Sequence, residues 1–204
     1  MQVRKEGSMI YLVRHGQTDG NKAKVLQGRG SDHPLNEEGR QQAETVRSWF
    51  EERQICIDRV YSSPLLRARQ TGDIIAGSRE MVLEDRLLEM DYGAYEGMDL
   101  LNMAEEVKVF FSGFVNNPAP PGMEPLPEVV RRMGSFLEMI RPEAGNKTIL
   151  AVTHAIAMKG ALEYLTPESH GGYWGKYIGN CAMYVINLKD GQYTIPEEVG
   201  MEAL

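Results

Sequence analysis

Two apolar, strand-forming runs far apart in the chain end in the same way, and this repeated ending constrains the fold more than any other feature. Met9-Ile10-Tyr11-Leu12-Val13 passes directly into Arg14-His15-Gly16, and Thr148-Ile149-Leu150-Ala151-Val152 passes into Thr153-His154. Short continuous apolar runs bounded by polar residues read as strands buried on both faces, the setting of a parallel sheet. Arg59-Val60-Tyr61-Ser62 reads as a third strand. It runs into Ser63-Pro64, where proline suits the first turn of a helix carrying Leu65, Leu66, Ala68, Ile74 and Ile75. Asn36, followed by Glu37 and Glu38, opens a helix whose Ala43, Val46, Trp49 and Phe50 repeat at helical spacing. Val129, Met133, Phe136, Leu137 and Ile140 form a second such stripe, and residues 155–165 are helical. Residues 181–188 and 193–195 read as closing strands about an Asp190-Gly191 turn. Alternating strands and helices predict an α/β three-layer sandwich: a mostly parallel central sheet, helices on both faces, and ligands at the carboxyl ends of its strands.

At 204 residues the chain has the length of one domain, given roughly 150 residues per domain. We expect a flexible N-terminal extension over residues 1–8, because the apolar pattern begins only at Met9, and a single domain over 9–204. Residues 98–124 mix Met and Phe and leave through Pro118, Pro120 and Pro121, which predicts a lid-like excursion over the sheet. With 22 Lys and Arg against 29 Asp and Glu, the net charge of −7 disfavours nucleic acid and anionic membranes as partners. Any anion site must then be a local pocket. No stretch approaches the roughly 18 apolar residues of a membrane span, and the N-terminus lacks a signal peptide's apolar core, so a cytoplasmic location is expected. Cys56 and Cys181 are widely spaced and read as small buried hydrophobes in a reducing compartment. A homodimer is compatible with the sequence, which neither requires nor forbids it.

The chemistry is concentrated at the strand exits. His15 and His154 are two of only four histidines, and if their strands are neighbours both imidazoles project from one sheet edge. Arg14 and, from the third strand's exit, Arg67 would join them there. Two guanidiniums and two imidazoles make a phosphate cradle, since arginine matches phosphate oxygens bidentately and stays charged. A neutral imidazole can attack phosphorus without a metal or partner base, while a second, protonated imidazole holds the phosphate. No cofactor is called for, and no residue cluster has recognisable metal-ligand spacing.

These residues carry a resemblance. Leu12-Val13-Arg14-His15-Gly16-Gln17-Thr18 with Asn21 resembles the signature of the histidine phosphatase superfamily, in the branch that includes cofactor-dependent phosphoglycerate mutases and small-molecule phosphatases. The likeness continues in family order through Gln27-Gly28, residues 34–43, residues 62–68, residues 88–97 and Val152-Thr153-His154. It implies that His15 takes the phosphoryl group, that Arg14, Arg67 and His154 bind it, and that Asn21, Gln27 and Gly28 supply further substrate contacts. It also implies that Glu89 is the proton donor, a group the chemistry needs in any case because an alkoxide leaves poorly. The sequence departs from the family pattern by one extra residue at Gly30-Ser31, by Ala155 after the second histidine, and by Gly122-Met123-Glu124-Pro125 where Gly-Gly-Glu-Ser is usual.

The expected activity is hydrolysis of a small phosphorylated metabolite through phosphohistidine. The alternatives are a phosphoglycerate-type mutase and a pseudophosphatase that binds phosphorylated ligands without turnover. A mutase must hold a second acidic group, yet the excursion's only basic residue is Lys108, beside Glu105 and Glu106. Distal cations would have to come from elsewhere, such as Arg29 or Lys176. His33 and His170 read as solvated loop residues, and Gly28-Arg29-Gly30 as a plain loop rather than a dinucleotide fingerprint. Met98, Met103, Phe110, Phe111 and Phe114 either pack the core or line an apolar substrate pocket.

Overall fold

The computed structural model describes residues 9–200; the expected extension at 1–8 lies outside the described residues. Its strands are β1 (Met9–Arg14), β2 (Arg59–Ser62), β3 (Met81–Leu83), β4 (Ile149–Thr153), β5 (Met183–Lys189), β6 (Gln192–Tyr193) and β7 (Glu197–Glu198). They form one mixed sheet in the order β3-β2-β4-β1-β5-β6, with β7 also on β5. β1 to β4 are mutually parallel, and β5 joins β1 antiparallel. The chain thus builds β1, β2 and β3 first and then returns to insert β4 between β1 and β2, which places the His154 exit at the sheet's centre.

Strand periodicity sorts the core into two layers. Tyr11 and Val13 of β1, Val60 of β2, and Leu150 and Val152 of β4 face one side, where they meet Ala43, Val46, Trp49 and Phe50 of α2 (Glu37–Glu52) and Ala68 and Ile75 of α3 (Leu66–Ala76). Ile10, Leu12, Tyr61, Ile149 and Ala151 face the other side, against Val129, Met133, Phe136 and Ile140 of α5 (Leu126–Ala144) and Ala157 and Ala161 of α6 (Ala155–Leu165). The three-layer expectation holds. Asn36 caps α2 as read, its Oδ1 accepting from the Gly39 N–H at 2.9 Å. Between β1 and α2 lies the short helix α1 (Asp19–Lys22), and the excursion carries α4 (Glu105–Ser112).

Several boundaries differ from expectation. Pro64 lies outside α3, which starts at Leu66 with Leu65 as its extended cap. The residue preceding a proline favours extended backbone, so the Ser63-Pro64 step continues the strand's direction before the helix can begin. The closing strand starts at Met183 rather than Cys181, because Cys181 holds a left-handed backbone (φ 57°). Cys181 is buried, its thiol pushed up to about 12 by burial, whereas Cys56, in the loop between α2 and β2, is exposed. In the excursion, Val107 and Phe110 are fully buried in the α5/α6 layer, and Met98, Met103, Phe111 and Phe114 pack partly buried against it. Phe110 is therefore core, not pocket lining. No helix among the described residues is long and apolar enough to cross a membrane.

Candidate active site

Parallel pairing sets Arg14 beside Thr153, so the residues that follow, His15 and His154, leave the sheet side by side. The His15 N–H donates to the Thr153 carbonyl at 3.0 Å, and the two imidazole centres lie 5.1 Å apart. On the other side of β4 the Ser63 N–H donates to the Val152 carbonyl at 2.9 Å, which brings the β2 exit and α3 to the same edge.

Hydrogen bonding fixes the state of His15. Its Nδ1 lies 2.7 Å from the Gly16 carbonyl, which can only accept, so Nδ1 carries the proton. The lone pair is left on Nε2, where the Arg67 Nε–H points at it from 3.3 Å. Burial first, and then the charges of Arg14 and Arg67, hold the imidazole well below the usual histidine range. His15 is neutral at pH 7, with its unprotonated nitrogen facing the Arg67 guanidinium.

Arg67 is fully buried, and its remaining nitrogens donate to the Gly28 carbonyl at 3.1 Å and to the Ser31 carbonyl. The inserted Gly30-Ser31 step thus belongs to the loop that seats this guanidinium. The loop is itself fixed by Glu96, which accepts from the Gly30 N–H at 2.9 Å and the Ser31 hydroxyl at 2.6 Å. Arg14 donates through Nη1 to the Ile178 carbonyl at 2.5 Å, but its buried Nε has no partner. His154 Nδ1 is likewise buried and unpartnered, while its Nε2 lies 2.7 Å from Ser63 Oγ. Unmet buried polar groups are costly, and two flanking one imidazole mark where an anion would satisfy them.

Asn21 shares a capping box with Thr18, and its Oδ1 also accepts from Asn180 Nδ2 at 3.2 Å. That network orients the side chain, since the Thr18 N–H and the Asn180 amide are donors, and so leaves the Asn21 NH₂ as the end able to contact a ligand. Gln27 is turned under this loop, its Oε1 accepting from the Thr18 hydroxyl at 2.9 Å, and Gly28 contributes its carbonyl to Arg67. Both hold the site's frame in this state.

Glu89 is buried at the amino end of α6. Its Oε1 accepts from the Met90 N–H (2.9 Å) and the Ala157 N–H (3.1 Å), and Oε2 accepts from the Ile156 N–H (3.2 Å). The Arg132–Glu124 ion pair, with both side chains largely buried, clamps the segment 86–91 on both sides of Glu89. Arg132 donates to the Arg86 carbonyl (2.7 Å), the Leu88 carbonyl (2.6 Å) and Glu124 Oε1 (2.7 Å). Glu124 in turn bonds Asp91 through its backbone N–H (2.8 Å) and accepts from Arg29 Nη2 (3.1 Å). The Glu within the divergent Gly122-Met123-Glu124-Pro125 segment is thereby explained.

In this state burial, and then Arg67, His15 and Arg14, hold His154 well below the ordinary histidine range, so the arginines supply the site's charge. Arg29 and Lys176 are not spare cations, since Arg29 pairs with Glu124 at 3.1 Å and Lys176 with Glu198 at 2.6 Å. His33 and His170 are exposed, as expected. Sequence reasoning gave no role to Ser63, to Asn180, which also donates to the His15 carbonyl (3.1 Å), or to Thr71, whose Oγ1 accepts from the Gly16 N–H (3.0 Å). Lys159 was missed as well, although a lysine in an apolar helix was a readable signal. Among the described residues no group of three or more His, Cys, Asp or Glu side chains could hold a metal ion.

Comparison with known proteins places these features in a context. Residues 10–198 match the family described as histidine phosphatase superfamily (branch 1). Phosphoserine phosphatase 1 of Hydrogenobacter thermophilus is 29% identical over 191 residues, covering 91% of this chain and 89% of that protein. A probable phosphoglycerate mutase GpmB of Escherichia coli is 34% identical over 155 residues, covering 73% and 70% respectively. The crystal structure of a phosphoserine phosphatase from Entamoeba histolytica, in complex with 3-phosphoglyceric acid, superposes with a TM-score of 0.82 at 27% identity, covering 96% of this chain and 99% of that one.

Proposed function

The chain belongs to branch 1 of the histidine phosphatase superfamily, and from that premise we propose that it is a metal-independent phosphomonoesterase working through a phosphohistidine on His15. It is a phosphatase of small phosphorylated molecules. The observation that carries the mechanism is the state of His15: Nδ1 bonded to the Gly16 carbonyl, the lone pair on an unprotonated Nε2 that faces the Arg67 guanidinium, and the ring held neutral by burial and by the charges of Arg14 and Arg67.

In the first step Nε2 attacks phosphorus and the bond from phosphorus to the ester oxygen breaks, with Glu89 giving its proton to that oxygen. In the second step water attacks the phosphohistidine, the P–N bond breaks, and Glu89 recovers a proton from the water. The products are an alcohol and inorganic phosphate. Arg14 and Arg67 hold the phosphoryl oxygens throughout, which places fixed positive charge where negative charge develops. His154 Nδ1 and the Asn21 amide complete the oxygen shell, and a bound dianion favours the protonated form of His154.

The test is phosphate release from a panel of phosphomonoesters after dialysis against a chelator. Activity that disappears and returns only with added divalent metal overturns the metal-independent mechanism. Supplying phosphoglycerate with its bisphosphate primer separates phosphatase from mutase: hydrolysis should outrun isomerisation, and the reverse would reassign the enzyme.

A further inference from the structure

We propose that Lys159 reads the non-phosphoryl end of the substrate, and that this end carries a carboxylate, so that the substrate class is a phosphomonoester of a small hydroxy acid. The inference rests on the reading of His15 and Glu89 given above and adds a second binding group to it.

Lys159 stands on α6 and is only 8% exposed. Its Nζ donates to the Trp174 carbonyl at 2.7 Å and lies 5.4 Å from the centre of the Phe114 ring. Among the described residues no carboxylate lies within 4.0 Å of it, whereas Arg29, Lys108, Arg132 and Lys176 all have such partners. A buried ammonium is ordinarily paired with an anion, and this one has three donors but a single neutral acceptor.

Its direction matters as much as its isolation. Side chains on a helix lean toward the amino end, so Lys159 reaches back over the turn whose Ile156 and Ala157 amides hold Glu89. Glu89 and Arg14 are the charged groups whose fields act on Nζ. Glu89 faces the ester oxygen in the proposed reaction, so the atoms beyond that oxygen extend toward Lys159. Phe114 of the excursion and Trp174 of the loop before β5, with ring centres 6.2 Å apart, flank the same place. Arg14 and Arg67 serve the phosphoryl group, and one further cation fits one further monovalent anion.

The experiment uses a matched pair of ligands, 3-phosphoglycerate and glycerol 3-phosphate, which differ in whether the carbon chain ends in a carboxylate or a hydroxymethyl. Binding to the full chain bearing His15→Ala is measured by calorimetry, so that no turnover is needed. The protein with Lys159 should bind phosphoglycerate about tenfold or more tightly than glycerol phosphate, the value of one charge-assisted bond. Lys159→Met should remove that preference and leave glycerol phosphate binding unchanged. Lys159→Gln, which can still donate to the Trp174 carbonyl but lacks the charge, should do the same and guards against misfolding of the Met variant. Equal binding of the two esters with Lys159 present, or an equal loss of both on substitution, overturns the proposal while leaving the phosphatase reading intact. Failure of both esters to bind with Lys159 present overturns the phosphoryl site itself, and the proposal with it.

Discussion

Replacing Glu89 by Gln removes an acid while preserving shape, and the structure says what else it does. Both carboxylate oxygens accept backbone N–H bonds, Oε1 from Met90 and Ala157 and Oε2 from Ile156. Glutamine has one acceptor oxygen, so whichever way its amide is turned, the NH₂ faces an N–H and at least one backbone donor is orphaned. A buried unsatisfied donor costs about 1–3 kcal/mol. For a domain of this size each kcal/mol lowers the melting temperature by about 2–4 °C, so Glu89→Gln should melt roughly 2–12 °C below the parent. The kinetic effect is separable from this loss. Loss of general acid catalysis should slow alkyl phosphates by about 10²–10⁴-fold, while aryl phosphates, whose phenolate leaves without a proton, should slow far less. Phosphate release is assayed from glycerol 3-phosphate and p-nitrophenyl phosphate at a temperature where calorimetry shows both proteins folded. Equal losses on the two substrates would refute the assignment of Glu89 as proton donor, and an unchanged melting temperature would refute its place on the α6 amides.

The Arg132–Glu124 pair should act on Glu89 through the segment 86–91. Arg132→Met leaves Glu124 with Arg29 as its cation but removes the donor to the Arg86 and Leu88 carbonyls, which should cost about 1–3 kcal/mol in urea unfolding, and the folded enzyme should show an alkyl-selective loss like that of Glu89→Gln; a uniform loss on both substrate types would make the pair merely structural. Burial pushes the Lys159 ammonium down to about 8 against the opposing charge of Glu89, so any preference in kcat/KM for carboxylated over uncharged esters should be full below that pH and fade above it. A ratio that stays flat up to pH 10 contradicts the role of its charge. His15 and His154 are held neutral by burial and by the arginines, so below about pH 6.5 the unfolded chain binds more protons than the folded one. Stability should therefore fall as pH drops from 7 towards 5, and His15→Gln should remove part of that slope.

Much of the fold could be read from particular residues because burial imposes simple periods. The β1 and β4 runs are apolar at every position since both faces are covered, and the α2 and α5 stripes repeat because each helix covers one side of the sheet. The cluster of His15, His154, Arg14 and Arg67 was readable too, as parallel strands deliver their exits to one edge. What escaped depended on three-dimensional neighbours. The charge of His154 is set by burial depth and by Arg67, neither visible in a Thr-His dipeptide. Lys159 lies within Ala155-Ile156-Ala157-Met158-Lys159-Gly160-Ala161-Leu162, and the charged residue in that buried helix was the missed clue. Cys56 was misplaced because hydrophobicity argues for burial while the loop before β2 happens to expose it.

The phosphohistidine mechanism stands most directly on the identity of the phosphorylated atom. The enzyme is mixed with a labelled alkyl phosphate, quenched in base within the turnover time because phosphohistidine is acid-labile, and mapped by peptide mass spectrometry. Phosphate should be found on His15 and not on His154, with no adduct in the His15→Ala variant. Phosphate on any other residue, or turnover by the His15→Ala variant at the parent's rate, would contradict that mechanism.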